Sequence, residues 1–122
     1  ALEQGQWVVS DRFIDSTYAF QVAASKMSLH AMFRVVGEAV VGATYPKLTI
    51  ILDLPLEVAQ GRRTLRCDGV EDPAEGTRDF AAIRNGLLEL AKEDPERCRL
   101  INADQPADAV AKDIWKLVEP LL

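Results

Sequence analysis

An aspartate and an arginine stand side by side where an apolar run ends. Residues 7–11 read Trp-Val-Val-Ser-Asp, and Arg12 follows Asp11 directly. A carboxylate in this position is typical of a group near nucleotide-bound Mg²⁺, and a guanidinium can grip a phosphate with two parallel hydrogen bonds. A helix cap and a surface ion pair explain the same two residues equally well. The pair alone therefore leaves phosphate binding and a structural role open.

Two further apolar runs also end in polar side chains. Residues 48–52 are followed by Asp53, and residues 99–102 finish in Asn102. Ligands of parallel sheets collect at the carboxyl ends of the strands. If all three runs are strands of one parallel sheet, Asp53 and Asn102 lie at the same edge as the Asp-Arg pair.

Apolar residues at helical spacing fill the intervals between the three runs. The terminal helix, for example, follows Pro106, which suits a first-turn position. Long helical connections between apolar strands predict an α/β fold, a three-layer parallel sheet with flanking helices, because parallel neighbours require crossovers. The predicted helices are one capped by Asp15 or Ser16, one from Leu29 to about Gly42, one from Pro55 to about Arg66, one from Phe80 that stops before Pro95, and the terminal one.

Composition and charge narrow the class of protein. The 122 residues suit one domain with a modest core, and we treat 1–122 as a single, partial domain. The net charge of −5 comes without a basic stripe, which argues against nucleic acid or an anionic membrane as main partner. The first residues lack a signal-peptide layout, which favours a cytoplasmic location. The polar residues 67–76, with two glycines and a proline, are a candidate lid.

The longer string around the Asp-Arg pair, DRFIDSTYAFQ over residues 11–21, resembles the DRY-x-x-S-x-x-A-Y-Q signature of thymidylate kinases. Phe13 and Phe20 stand where tyrosine is common in that family. Three more segments resemble the family in the same order: PKLTIILDLPLEVAQGRRTLR, RDFAAIRNGLLELA and INADQP. Four ordered segments at nearly the right spacings are far more specific than any one motif. The positions that match the signature are Asp11, Arg12, Ser16, Ala19 and Gln21.

The resemblance implies a P-loop NTPase fold of the nucleoside monophosphate kinase type, here without its first strands. It also implies ATP-dependent phosphorylation of dTMP to dTDP with Mg²⁺. Carried over by position, Arg12 holds the dTMP phosphate and Asp11 lies by the metal and the reacting phosphates. Phe20 lies against the deoxyribose and excludes a ribose 2′-hydroxyl, although a core aromatic explains it too. Ser16 and Thr17 approach the thymine.

Gln21 reaches the base or, equally well, faces solvent. On the ATP side, the resemblance assigns Arg62, Arg63 and Arg66 to the charge that develops on the moving γ-phosphoryl group. For any one of these three, a solvated helix end is the simpler explanation. The loop formed by Asn102, Ala103 and Asp104 resembles the loop that borders the adenine. A strand-to-helix connection explains that loop as well.

Two departures from the family bear on activity. Residues 70–72 are Val-Glu-Asp, where bacterial relatives usually carry an Asp-Arg pair inside the lid, so Arg66 or Arg78 would have to substitute. The phosphate-binding motif G-x-x-x-x-G-K-S/T does not occur in these residues. We therefore expect them to be inactive alone, and to be part of a longer polypeptide or to receive the central strand from another chain.

Two alternatives to a dTMP kinase stay open. The protein is a kinase for another deoxynucleotide, or a degenerate paralogue that keeps the fold and binds nucleotide or a partner protein. The resemblance also implies a homodimer formed through the long helices. The apolar stripe over residues 29–40 would contribute to it, although any core helix shows the same stripe.

Overall fold

Five helices and two strands organise the described parts of the chain. The computed structural model describes residues 1–25, 28–66 and 76–122. Short 3₁₀ turns lie at Leu2–Gln4 and Glu119–Leu121. The main elements are α1 (Ile14–Thr17), which continues as a π-helical segment (Tyr18–Ala23), α2 (His30–Val41), β1 (Thr49–Asp53), α3 (Leu56–Arg66), α4 (Phe80–Glu93), β2 (Cys98–Asn102) and α5 (Ala107–Val118).

The two strands pair in parallel, as predicted from the long helical connections. Their register runs from Thr49 opposite Cys98 to Asp53 opposite Asn102. One more hydrogen bond, from Ala103 N to Asp53 O at 2.7 Å, extends the pairing beyond the carboxyl ends. The helices α3 and α4 form the crossover that a parallel pair requires.

The predicted strand over residues 7–11 is wrong for this structure. That segment has no strand conformation, and Trp7 and Val9 are 56% and 91% exposed. A strand exists only where a neighbour accepts and donates its backbone hydrogen bonds. Within the described residues, β1 pairs with β2 and with no third strand. The expected three-layer sheet is therefore present only as one parallel pair with its helices.

The core lies where α4 meets the sheet and the π-helical segment. Ile51, Ala91 and Cys98 form a buried cluster against which Leu87 packs. On its other side, α4 contacts the π-helical segment so closely that a Cβ at Gly86 would collide with the Cβ of Ala23. The glycine thus permits the close approach of these two helices.

Helix ends show which local signals the chain uses. Asp79 caps α4, accepting a hydrogen bond from Ala82 N at 3.0 Å. Gly42 ends α2 with a positive φ of 53°, as the sequence predicted. The predicted cap at Asp15 or Ser16 is wrong, because α1 already begins at Ile14 and places Asp15 inside the helix.

The remaining helix predictions are confirmed: α2, α3 and α4 lie within a residue or two of the expected bounds, and α5 follows Pro106 but ends at Val118, before the 3₁₀ turn that holds Leu121. The candidate lid at 67–76 falls almost entirely on residues 67–75, which lie outside the described residues. In the three described ranges, no helix combines the length and apolar character needed to cross a membrane.

Candidate functional site

Arg12 adopts an unusual backbone conformation. Its φ of 67° places it in the left-handed region, where a side chain other than glycine costs of the order of 1 kcal/mol or more. The hydroxyl of Ser10 donates to the Arg12 carbonyl at 2.8 Å and supports this turn. The side chain is exposed, and its guanidinium carbon lies 5.1 Å from the ring centroid of Phe20. The turn therefore aims the guanidinium back over the helix that follows.

An open cleft of about 590 Å³ lies beside this turn. Arg12, Ser16 and Thr17 line one wall, and Val41 and Thr44 line the other. The cleft thus combines one cation with three hydroxyl groups and an apolar wall. Such a lining can hold an anion through the guanidinium and a polar ring system through the hydroxyls. Three of the substrate-binding residues expected from the sequence therefore lie together.

Phe20 is half-buried and has a second cation beside it. The guanidinium carbon of Arg78, which precedes α4, lies 5.6 Å from the same ring centroid. Sequence reasoning named Arg78 only as a possible substitute in the lid, because nothing in the local spacing links it to Phe20. Gln21, one position further along, is exposed.

Asp15 fixes α1 to the sheet. Both of its carboxylate oxygens accept from the Arg97 guanidinium, at 2.8 and 2.9 Å, and Oδ2 also accepts from the Thr49 hydroxyl at 3.1 Å. The side chain of Asp15 is 9% exposed and that of Arg97 is 16% exposed. Arg97 also pairs with Asp94 at 2.8 Å, and its hydrogen bond lowers the pKa of that carboxyl. We call these four side chains the Asp15 anchor.

The Asp15 anchor fixes α1, the helix that follows Arg12, at one edge of the sheet. Thr49 is the first residue of β1, and Arg97 immediately precedes β2, so both lie at the amino ends of the strands. The cleft accordingly opens beside the segment that enters β1. The expectation that Asp11 and Arg12 share the carboxyl edge with Asn102 stays a prediction. The strand over residues 7–11 on which that expectation rested is not formed.

The carboxyl edge carries a separate polar group. Arg62 Nη1 donates to the Ala103 carbonyl at 2.9 Å. The Asn102 Oδ1 accepts from the backbone N–H of Asp104 at 2.9 Å, which shapes the loop after β2. Four of the residues that the sequence assigned to the ATP side therefore lie together: Arg62, Asn102, Ala103 and Asp104.

An ion pair stabilises this carboxyl edge. Arg84 on α4 holds Asp53 at the end of β1 through two hydrogen bonds, of 2.7 and 3.0 Å. These hydrogen bonds lower the pKa of Asp53. Sequence reasoning placed Asp53 at the edge but did not identify its partner, since Arg84 reads as an ordinary polar position of an amphipathic helix. The pair joins α4 to β1.

Arg66 and Asp11 stand apart from both groups. Arg66 is exposed in the last turn of α3, and Asp11 is exposed in the bend before Arg12. Within the ranges that the structure describes, no hydrogen bond or ion pair joins the cleft to the carboxyl edge, and no cluster of three or more His, Cys, Asp or Glu side chains is arranged for a metal ion. Asp11 offers a single carboxylate, which suits a Mg²⁺ ion held mainly by phosphate oxygens.

Comparison with known proteins gives a consistent result. A family model described as thymidylate kinase matches residues 1–114. Thymidylate kinases of Rhodopseudomonas palustris (strain TIE-1) and Symbiobacterium thermophilum are each 37% identical to the chain, over 97% and 100% of its length. The thymidylate kinase of Desulforudis audaxviator is 40% identical over 100% of it. The match covers 52%, 56% and 54% of these relatives, so the chain spans about half the length of each.

Proposed function

The chain belongs to the thymidylate kinase family, and from that premise we propose that it forms the dTMP-binding part of an enzyme that transfers a phosphoryl group from ATP to dTMP. The observation that carries this proposal is the cleft that Arg12, Ser16 and Thr17 line together. The Phe20 ring does not line the cleft but lies beside the Arg12 guanidinium. The family relation supplies the identity of the nucleotide. The cleft and the neighbouring ring supply a cation, hydroxyl groups and an aromatic surface, which are the groups a deoxynucleotide needs.

Arg12 is the group that we assign to the 5′ phosphate of dTMP. Its planar guanidinium can donate two parallel hydrogen bonds to phosphate oxygens. Ser16 and Thr17 are assigned to the thymine, whose carbonyl oxygens accept hydrogen bonds and whose ring N–H donates one. Phe20 is assigned to the deoxyribose, where a 2′-hydroxyl would lose its water without gaining a partner. Gln21 is assigned to the surroundings of the base.

The carboxyl edge is assigned to ATP. The Arg62 hydrogen bond to Ala103 holds the loop of Asn102 and Asp104 in place, and that loop borders the adenine in this proposal. Arg66 is the group assigned to the charge of the moving phosphoryl, and Asp11 would hold Mg²⁺. A magnesium ion supplies neutralisation of phosphate charge when it is bound.

These 122 residues contain no glycine-rich loop that could cradle the ATP phosphates. We therefore derive no transfer step for them, and propose that the chain by itself binds dTMP without phosphorylating it. Catalysis also requires the cleft and the carboxyl edge to come together. In our proposal this occurs when residues 7–11 join the sheet as a strand, beside a central strand supplied from outside these residues.

Titration calorimetry of dTMP into the chain tests the binding function. We expect dTMP to bind and thymidine to bind at least tenfold more weakly, because the phosphate contact is lost. The variant Arg12→Ala should abolish this preference for the phosphorylated form. Arg34→Ala removes the same charge from an exposed position on α2 and should leave the preference intact.

Two outcomes would contradict the proposal. An equal affinity of dTMP and thymidine for the parent chain would remove Arg12 from phosphate binding. A clear preference for dCMP or dGMP over dTMP would transfer the assignment to another deoxynucleotide kinase. Either result is decided by binding alone and does not depend on turnover.

We also propose that α2 forms part of a homodimer interface. Its residues Met32, Val36 and Val40 are more than half exposed although they are large and apolar, and Val40 is 76% exposed. An apolar face of this kind is stabilised when a second copy covers it. Sedimentation should show a dimer that Val36→Glu converts to a monomer. If the parent chain is a monomer in this measurement and stays a monomer when its concentration is raised 100-fold, the interface is refuted.

A further inference from the structure

Phe20 is the meeting point of two arginines that are distant in the sequence. Arg12 approaches the ring from the turn before α1, and Arg78 approaches it from the segment before α4. The two guanidinium carbons lie 5.1 and 5.6 Å from the same ring centroid. Their separation is therefore at most the sum of these two short distances. Both cations can therefore act on an anion that is bound beside the ring.

The two arginines differ from Arg84 and Arg97 in what contacts their guanidinium groups. Arg84 and Arg97 are each held by carboxylates, through ion pairs of 2.7 and 2.8 Å. Among the described residues, the contact shown for the guanidinium groups of Arg12 and Arg78 is with the aromatic ring, and both side chains are exposed. Asp11 and Asp79 are their neighbours in the chain, but within the described residues neither carboxylate pairs with them. Asp79 is instead the cap of α4.

Two cations beside one ring, without a carboxylate partner in the described ranges, raise the local positive potential. In water, like charges this close repel each other, and an anion that bridges them removes that cost. The ring contributes by holding both guanidinium groups over or beside an apolar surface, where fewer water molecules compete for their N–H donors. The arrangement is therefore prepared for an anion rather than for a neutral ligand.

We propose that Arg78 and Arg12 form an anion clamp, with Phe20 as its support, that binds the phosphate of a nucleoside monophosphate. The proposal deepens the function proposed above, because it rests on that function for the identity of the nucleotide. It adds Arg78 as a second phosphate-binding residue. It also gives Phe20 a second role, since the ring that excludes a ribose hydroxyl also positions both cations.

The clamp can be tested with inorganic pyrophosphate, which needs no nucleoside site. Pyrophosphate is titrated into the parent chain while the side-chain Nε–Hε signals of the arginines are followed by NMR. We expect the signals of Arg12 and Arg78 to shift together along one saturating curve. Arg12→Ala and Arg78→Ala should each weaken binding about tenfold or more, the effect of losing a hydrogen bond between charged groups. Arg34→Ala should weaken it less than about twofold, because its charge is screened in 0.15 M salt.

The variant Arg78→Lys keeps the charge and loses the planar fork, so its affinity should fall between those of the parent and Arg78→Ala. The clamp is overturned if pyrophosphate does not saturate the parent chain, or if Arg78→Ala binds it as tightly as Arg34→Ala does. If Arg12→Ala alone loses dTMP, the clamp is wrong and the proposed function stands. If both alanine variants lose pyrophosphate but the parent binds dTMP no better than thymidine, the two arginines bind an anion, and the assignment of that anion to the phosphate of dTMP is wrong.

Discussion

Removing the Asp15 carboxylate should destabilise the fold more than any surface ion pair does. The carboxylate accepts three hydrogen bonds, two from Arg97 and one from Thr49, and its side chain is 9% exposed. Breaking a buried ion pair by removing one partner costs about 3–5 kcal/mol. Arg97 retains Asp94 as a partner and remains in reach of water, which reduces that cost. For Asp15→Ala we therefore expect a loss of about 2–3 kcal/mol in the free energy of unfolding.

The assay is urea unfolding at pH 7, followed by far-ultraviolet circular dichroism. Asp113→Ala is the matched control, because its ion pair with Lys116 spans a single helical turn, and the lysine is 74% exposed. The control should lose only about 0.5 kcal/mol. If Asp15→Ala leaves too little folded protein to measure, Asp15→Asn keeps the shape of the side chain and should lose about 1–2 kcal/mol.

An equal loss in Asp15→Ala and Asp113→Ala would refute the reasoning, because it would mean that the Asp15 anchor contributes no more than a solvated pair. The same measurement bears on function. The Asp15 anchor holds α1, and α1 carries Ser16 and Thr17 of the cleft. A folded Asp15 variant should therefore also bind dTMP more weakly.

Three more predictions concern packing, acid stability and thiol reactivity. Gly86→Ala should lose about 1–3 kcal/mol of unfolding free energy by overpacking, whereas Gly61→Ala, with open space around it, should gain about 0.5–1 kcal/mol in the same urea assay. The pKa of Asp53 is lowered in the folded chain, so the stabilisation from its ion pair is present above about pH 4 and is lost as the pH falls through the folded pKa. Asp53→Asn should flatten this acid dependence of the unfolding free energy. An unchanged slope of unfolding free energy against pH would contradict the prediction. Burial raises the pKa of Cys98 to about 11, so in a Cys67→Ser variant the remaining thiol should react with a disulfide reagent at pH 8 far more slowly than it does in urea.

The spacing of apolar residues along the sequence predicted the helices and strands that bury one face. The helical spacing of Phe80, Ile83 and Leu87 gave α4, and the apolar run before Asp53 gave β1, because a buried face shows directly in the spacing of apolar residues. The segment 7–11 has an equally clear apolar pattern. It forms no strand because strand formation also depends on a neighbour, which no local pattern encodes.

The candidate site was predictable from the sequence where its residues lie close together in the chain, and not where they are distant. Signature spacing grouped Arg12 with Ser16 and Thr17, and the structure places these three in one cleft. It gave no indication that Asp15 would pair with Arg97, 82 positions away, or that Arg78 would reach the ring of Phe20. Such contacts follow from how the helices pack and not from the order of the residues. The helix cap predicted at Asp15 was wrong for this reason, because the partner of Asp15 is Arg97 and not the start of its own helix.

The pairing of β1 with β2 has a kinetic consequence. Each residue of β1 is separated along the chain from its partner in β2 by α3, α4 and the segment between these helices. Closing so long a stretch costs chain entropy before any strand contact forms, whereas the helices gain their contacts between near neighbours. During refolding, helical signal should therefore appear before the thiol of Cys98 becomes protected, and substitutions in β1 should slow the second of these two phases.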